Sequence, residues 1–153
     1  LQARADVEVT EQCELWHRVL VSAEHPFAQR DSIELRELEG QPLAIPDSAY
    51  GVRQALEMAA KKRGVTIQPV FTTSSLEVQK SLARQRAAVL ILPQVDADAR
   101  DLGDGLVAVP IADEHLGRIR IDLCGYRNRP RSVAVLKCQE MLASAMQRCA
   151  LVD

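Results

Sequence analysis

A chain of 153 residues, 47% hydrophobic and 26% charged, has the make-up of one globular domain that buries roughly 68–70% of its unfolded surface without a disulfide or metal staple, which sets aside the disordered and fibrous classes. Nineteen Lys and Arg against 21 Asp and Glu give a formal net charge of −2, so no overall positive field draws in a phosphate backbone, and this chain by itself is not expected to bind DNA. The longest apolar run, residues 87–93, falls far short of the ~20 residues of a membrane helix, and the acidic start LQARADVEVTEQ has no apolar signal core, so a cytoplasmic protein with no membrane partner is expected.

In chain order, residues 15–22 (LWHRVLVS) form a short apolar run that halts at His25-Pro26, as a buried strand does before a proline-restricted residue. Ile33, Leu35 and Leu38 precede Gly40, which suits a short helical turn closed by a left-handed residue. Residues 42–45 read as a second strand. VRQALEMAAKKRG then sets Val52, Leu56 and Ala60 on one helical face, with basic residues in the last turn and a stop at Gly64; it is the clearest helix signal in the chain. Residues 67–72 are a strand whose Pro69 favours an edge or a strand start. TSSLEVQKSLAR restarts a helix capped by Ser74 or Ser75.

Residues 88–92 (AVLIL) look like a strand buried on both faces of a parallel sheet, and residues 106–109 like one more short strand. Ile119, Ile121 and Leu123 alternate with Arg120 and Asp122, the pattern of a strand with one wetter face. In the last helix Val135, Cys138, Leu142, Ala145 and Cys149 recur at steps of 3 and 4, which predicts one buried face. Strands alternating with helices give the α/β class with a mostly parallel sheet.

Constellations for catalysis are not visible in the sequence. The glycines form no phosphate-cradling loop, and His17, His25 and His115 stand apart without an i,i+4 partner, so a structural or exposed role is expected for each. Cys13, Cys124, Cys138 and Cys149 lack a C-x-x-C pair or a His at ligand spacing and read as reduced, mostly buried thiols. Asp96, Asp98, Asp101 and Asp104 lack the twelfth-position glutamate of a calcium loop and read as solvated acids. Arg118, Arg120, Arg127, Arg129 and Arg131 have no alternating aromatic residues and suit a solvated face or a subunit contact. Neither cofactor nor metal is expected.

Binding chemistry concentrates at two helix starts. Residues 48–51 (SAYG) and 72–75 (TTSS) each join a strand end to a helix. Free N–H groups and the positive end of a helix dipole favour an anion there, and hydroxyls add directed hydrogen bonds. In an open parallel sheet such loops lie at the carboxyl edge, where ligands bind. The alternative is that these hydroxyls only cap helices.

The order of phrases VLVSAEHPFA, SIELRELEGQPLAI, VRQALEMAAKKRG, VFTTSSLEVQKSLA, AVLILP and GLVAVPIAD resembles the effector-binding domain of LysR-type bacterial transcription regulators, from about Asp6 to the end. The resemblance implies a fold like that of periplasmic binding proteins: two α/β subdomains with a small, anionic effector in the cleft between them. It would assign residues 42–113 to the second subdomain, and residues 1–41 and 114–153 to an incomplete first one. A subdomain lacking its opening segments would expose the apolar faces of residues 15–21 and 119–123.

Carried over by position, the resemblance makes Ser22, Ser48, Tyr50, Thr73 and Ser74 the effector-binding residues. It also implies a homo-oligomer that contacts DNA only through an N-terminal domain outside this chain. One departure stands out: the family's Gly-x-Gly before the apolar strand is replaced near Arg86 and Ala88. A solute-binding protein serving a transporter shares the fold and is the alternative reading; an enzyme on the same scaffold is the third.

Overall fold

The computed structural model describes residues 5–94, 105–113, 116 and 119–150. It divides into two compact units, one of Trp16–Arg118 and one of Leu1–Leu15 with Ile119–Asp153.

The larger unit is built on five strands: β2 (His17–Ser22), β3 (Leu43–Ile45), β4 (Pro69–Thr72), β5 (Val89–Pro93) and β6 (Leu106–Pro110), in the order β4-β3-β5-β2-β6. Alternation along these strands sorts the core into two layers. Val19, Val21, Leu43, Ile45, Val89 and Ile91 join one buried cluster with Leu56 and Ala59 of helix α1 (Gly51–Arg63). Leu20, Ala44, Leu90 and Leu92 join the other with Ala83 of helix α2 (Leu76–Arg84). The continuous apolar runs seen in the sequence are therefore strands covered on both faces.

Local signals explain the boundaries. Gly64 takes φ +65° and its N–H closes the end of α1 on Ala60 and Lys61 carbonyls, behind Lys61, Lys62 and Arg63. Of the two candidate caps for α2, Ser75 is the one whose hydroxyl accepts from the Val78 amide, at 3.4 Å. Pro69 opens the edge strand β4 and so interrupts no ladder. Residues 35–38 form a 3-10 turn before Gly40 at φ +76°. Arg86 stands at φ +60° just before β5, so the chain makes, with an L residue, a left-handed turn that glycine makes without strain.

The α/β class holds, with a qualification on strand direction. β3 is parallel to β4 and β5, whereas β2 is antiparallel to both its neighbours, β5 and β6. Four strands thus run one way and β2 runs against them, because parallel pairing here is confined to strands linked through the crossover helices α1 and α2.

In the smaller unit, β1 (Val7–Leu15) pairs antiparallel with β7 (Ile119–Tyr126), and helix α3 (Val133–Ala150) follows. Arg131 joins these parts: it bonds Glu8 of β1 and Gln139 of α3, and its guanidinium lies over Gly125 of β7, where a Cβ would meet Nη2 at 2.8 Å. Arg127 donates to the Val7 carbonyl and Arg129 lies 5.2 Å over the Tyr126 ring. These arginines bind their own unit rather than forming a loose charged patch.

Several expectations change. The two units meet in sequence at Leu15/Trp16 and Arg118/Ile119, and β2 is an interior strand of the larger sheet. Leu15, Val19, Leu20 and Val21 are buried, not exposed. The predicted buried face of α3 is open to solvent at Val135, Cys138 and Leu142, since a two-stranded sheet covers little of an 18-residue helix. Cys13 is buried but Cys124 and Cys138 are exposed, for the same reason. Asp96, Asp98, Asp101, Asp104, His115 and Arg118 lie outside the described residues.

Candidate functional site

The carboxyl ends of β3 and β4 deliver two adjacent loops to the helix starts of α1 and α2. After Ile45 and Pro46, Asp47 folds the first loop back on itself: its Oδ1 accepts from the Ala49 amide at 2.9 Å and its carbonyl from the Tyr50 amide at 3.2 Å. This turn sets Tyr50 as the cap of α1 in extended conformation, without a side-chain cap bond. Among the described residues, the first-turn amides of Gly51 and Val52 meet no protein acceptor, and a Cβ added at Gly51 would meet no neighbouring side chain within 4 Å. Such amides, with the helix dipole behind them, receive anions.

The second loop is tied to the first. The Thr73 amide donates to the Ile45 carbonyl at 3.2 Å, and the Ser74 hydroxyl donates to Asp47 Oδ2 at 3.1 Å. Thr73 Oγ1 accepts from the Ser75 amide at 3.3 Å, and buried Gln79 holds the Thr73 carbonyl through its side-chain amide. Arg53, in the first turn of α1, donates to the Pro46 carbonyl at 3.3 Å and pairs with Glu57. Gln54 reaches back to the Ser48 carbonyl at 2.9 Å. One exposed carboxylate, Asp47, thus organises both loops.

Ser48, Tyr50, Thr73 and Ser74 are accordingly gathered at one edge of the sheet. Ser22 is not among them. It ends β2, and because β2 is antiparallel to β5, with His17 opposite Pro93 and Leu20 opposite Leu90, its last residue lies at the edge where β5 begins. There Ser22 Oγ accepts from the Glu24 amide at 3.3 Å and its carbonyl from the His25 amide, the bonds of a turn. The direction of β2 is the fact that sequence position alone did not carry.

Other groups share the carboxyl edge. The Gln94 amide, just past β5, donates to the Trp16 carbonyl at 2.8 Å, and His17 Nδ1 lies 2.7 Å from the Leu116 carbonyl. Asp47 is the residue the sequence reading missed. Its signal was legible: Asp after a strand and a proline, three residues before the cap of a helix, is a turn-forming position. Two surface concavities lie elsewhere. One, of about 370 Å³, is lined by residues flanking the starts of β3 and β4, including Gln41, Pro42, Gln68 and Val70. The other, of about 440 Å³, lies in the smaller unit between β7 and α3. Among the described residues no group of His, Cys, Asp and Glu could hold a metal ion, and no helix is long and apolar enough to cross a membrane.

This architecture, a mixed sheet with helices on both faces and two polar helix starts at its carboxyl edge, is that of a ligand-binding α/β domain. The sequence profile of the family described as LysR substrate binding domain matches residues 2–147, and the chain belongs to that family. It is 28% identical over 102 residues to a protein of Synechococcus elongatus named "Probable nitrogen assimilation transcriptional activator", a match covering 66% of this chain and 33% of that protein. The fold is shared with the regulatory domain of Synechocystis CcmR, solved in complex with 2-PG (TM-score 0.75, 17% identity, 93% of this chain and 68% of that one). It is shared too with the effector-binding domain of QuiR, solved in complex with shikimate (TM-score 0.73, 16% identity, 99% and 70%). The chain spans about a third of the length of the curated relatives it matches.

Proposed function

We propose that this chain is the ligand-sensing part of a cytoplasmic LysR-type transcription regulator, with no catalytic role of its own, and that it takes a small anionic metabolite at the carboxyl edge of the larger unit's sheet. The observation that carries this is the uncapped start of α1 beside Ser48, Tyr50, Thr73 and Ser74, in a chain of this family. Ser22 has no part in it. The regulator works as a homo-oligomer and contacts DNA through a separate N-terminal domain. An effector favours one of two conformations only as far as its affinities for them differ, so the bound acid acts by selecting one state.

The test is a thermal-denaturation screen of the full gene product with organic acids, hydroxy acids, amino acids, sulfate and phosphate. An effector present at 100 times its Kd adds about 2.7 kcal/mol of stability, which a melting curve resolves easily. A rise in midpoint with at least one acid, reduced about tenfold in apparent affinity by Gly51→Pro, which removes one of the first-turn amides, is expected. A flat response across the panel contradicts the reading.

A further inference from the structure

We propose that His17, Leu116, Asp113 and Arg63 form a strap that fastens together the two passages of the chain between its units, so that neither passage shifts without the other. The chain crosses once at Leu15/Trp16 and returns at Arg118/Ile119. The strap is a device of the larger unit alone and holds wherever the effector sits.

Three bonds make it. Asp113 follows β6, and its side chain is 6% exposed. A carboxylate so far from water needs donors on its oxygens. Each oxygen has one: Arg63, the last residue of α1, donates Nε to Oδ2 at 3.0 Å, and the Leu116 amide donates to Oδ1 at 3.2 Å. The Leu116 carbonyl in turn meets Nδ1 of His17, the first residue of β2, at 2.7 Å. A carbonyl only accepts, so the proton of that bond sits on Nδ1 and the imidazole is the donor. His17 and Leu116 are both buried, so opening the bond leaves its partners without ready water.

These bonds join distant parts of the chain: Arg63 and Asp113 are 50 residues apart, His17 and Leu116 are 99. Connectivity alone would let the outgoing passage at Trp16 and the return beyond Leu116 shift separately. With the strap closed, the segment leading into the return is tied on one side to the end of α1 and on the other to the start of β2. The outgoing passage also carries its own reporter. The Gln94 amide donates to the Trp16 carbonyl at 2.8 Å and takes part in none of the three strap bonds.

The test is amide hydrogen exchange of the full gene product, resolved to single residues, in the wild type, Arg63→Ala, His17→Phe, the double variant and His17→Asn. Arg63→Ala leaves the Gln94 amide and its acceptor in place, yet that amide should exchange about tenfold faster, as for the loss of one charge-assisted bond. His17→Phe should have the same effect. The double variant should exchange no faster than the faster single variant, because a strap cut twice is as open as one cut once. His17→Asn, whose side-chain amide keeps a donor, should restore most of the protection. The Leu20 and Leu90 amides, in the covered sheet, should not change in any variant. An unchanged Gln94 amide in Arg63→Ala, fold-changes that multiply in the double variant, or no recovery in His17→Asn overturns the strap. So does a rise shared equally by Leu20 and Leu90, which marks a general loss of stability. Should His17→Phe fail to fold, Asp113→Asn takes its place with the same expectations, since it keeps an acceptor for Leu116 and loses the charge that holds Arg63.

Discussion

Leu20 and Leu90 in the larger unit are fully shielded from solvent, one strand apart in a sheet covered by helices on both faces. In the smaller unit, Leu136 and Leu142 of α3 are each 46% exposed, and Met141 is 65% exposed. Both regions carry apolar side chains at the period of their secondary structure, yet only one has a second layer to cover them. Hydrophobic pattern shows which face seeks cover; topology decides whether cover is there. The candidate site sits in the region that has it, where strand ends hold the loops.

Equal truncations in the two regions should have unequal costs. Leu90→Ala should cost about 2–5 kcal/mol, as for a fully buried leucine. Leu142→Ala, at an exposed position, should cost less than about 0.5 kcal/mol. Urea denaturation measures both, and a Leu142→Ala cost equal to that of Leu90→Ala would mean that α3 has cover after all. A smaller effect of opposite sign is expected at Arg86, whose left-handed backbone φ is +60°. Arg86→Gly should stabilise by about 0.5–1 kcal/mol, because the exposed ion pair it gives up with Glu24 is worth little. A lowered denaturation midpoint would show that the pair outweighs the strain.

Much of the larger unit is legible in the sequence because its signals are local. Gly64, the basic residues before it, Ser75 and Pro69 fix ends and edges within a few residues of themselves. The direction of β2 is not local: HRVLVS reads the same whichever way its neighbours run, and that direction separates Ser22 from the other four candidate residues. β1 was equally hidden. VEVTEQCEL alternates only weakly, is interrupted by a register shift between Val9 and Glu11, and is buried only at Cys13 and Leu15, against a single partner strand. Asp47 gives a weaker signal than the hydroxyls and amides of the helix starts, because a turn former one step earlier reads as loop chemistry and its bond to Ser74, 27 residues away, is not local.

The smallest predicted effect concerns pH. Burial lowers the His25 pKa from its usual 6.5, and Nδ1 accepts from the Phe27 amide at 3.1 Å, a bond that protonation at that nitrogen removes. A folded value below the unfolded one means that the unfolded chain binds more protons in the window between them. Stability from this group is therefore complete above pH 6.5 and declines as pH falls below it toward the lowered value. His25→Asn, which keeps an acceptor, should flatten that part of the stability profile; an unchanged slope would assign it to another group.

Hydrogen exchange of the backbone amides, with and without the acid of the thermal screen that raises the midpoint most, is the decisive measurement for the effector site. Added protection is expected at residues 49–53 and 73–78, at the two helix starts, and none at residues 22–25 on the opposite edge of the sheet. Protection confined to residues 22–25, or to β7 and α3 of the smaller unit, would contradict it.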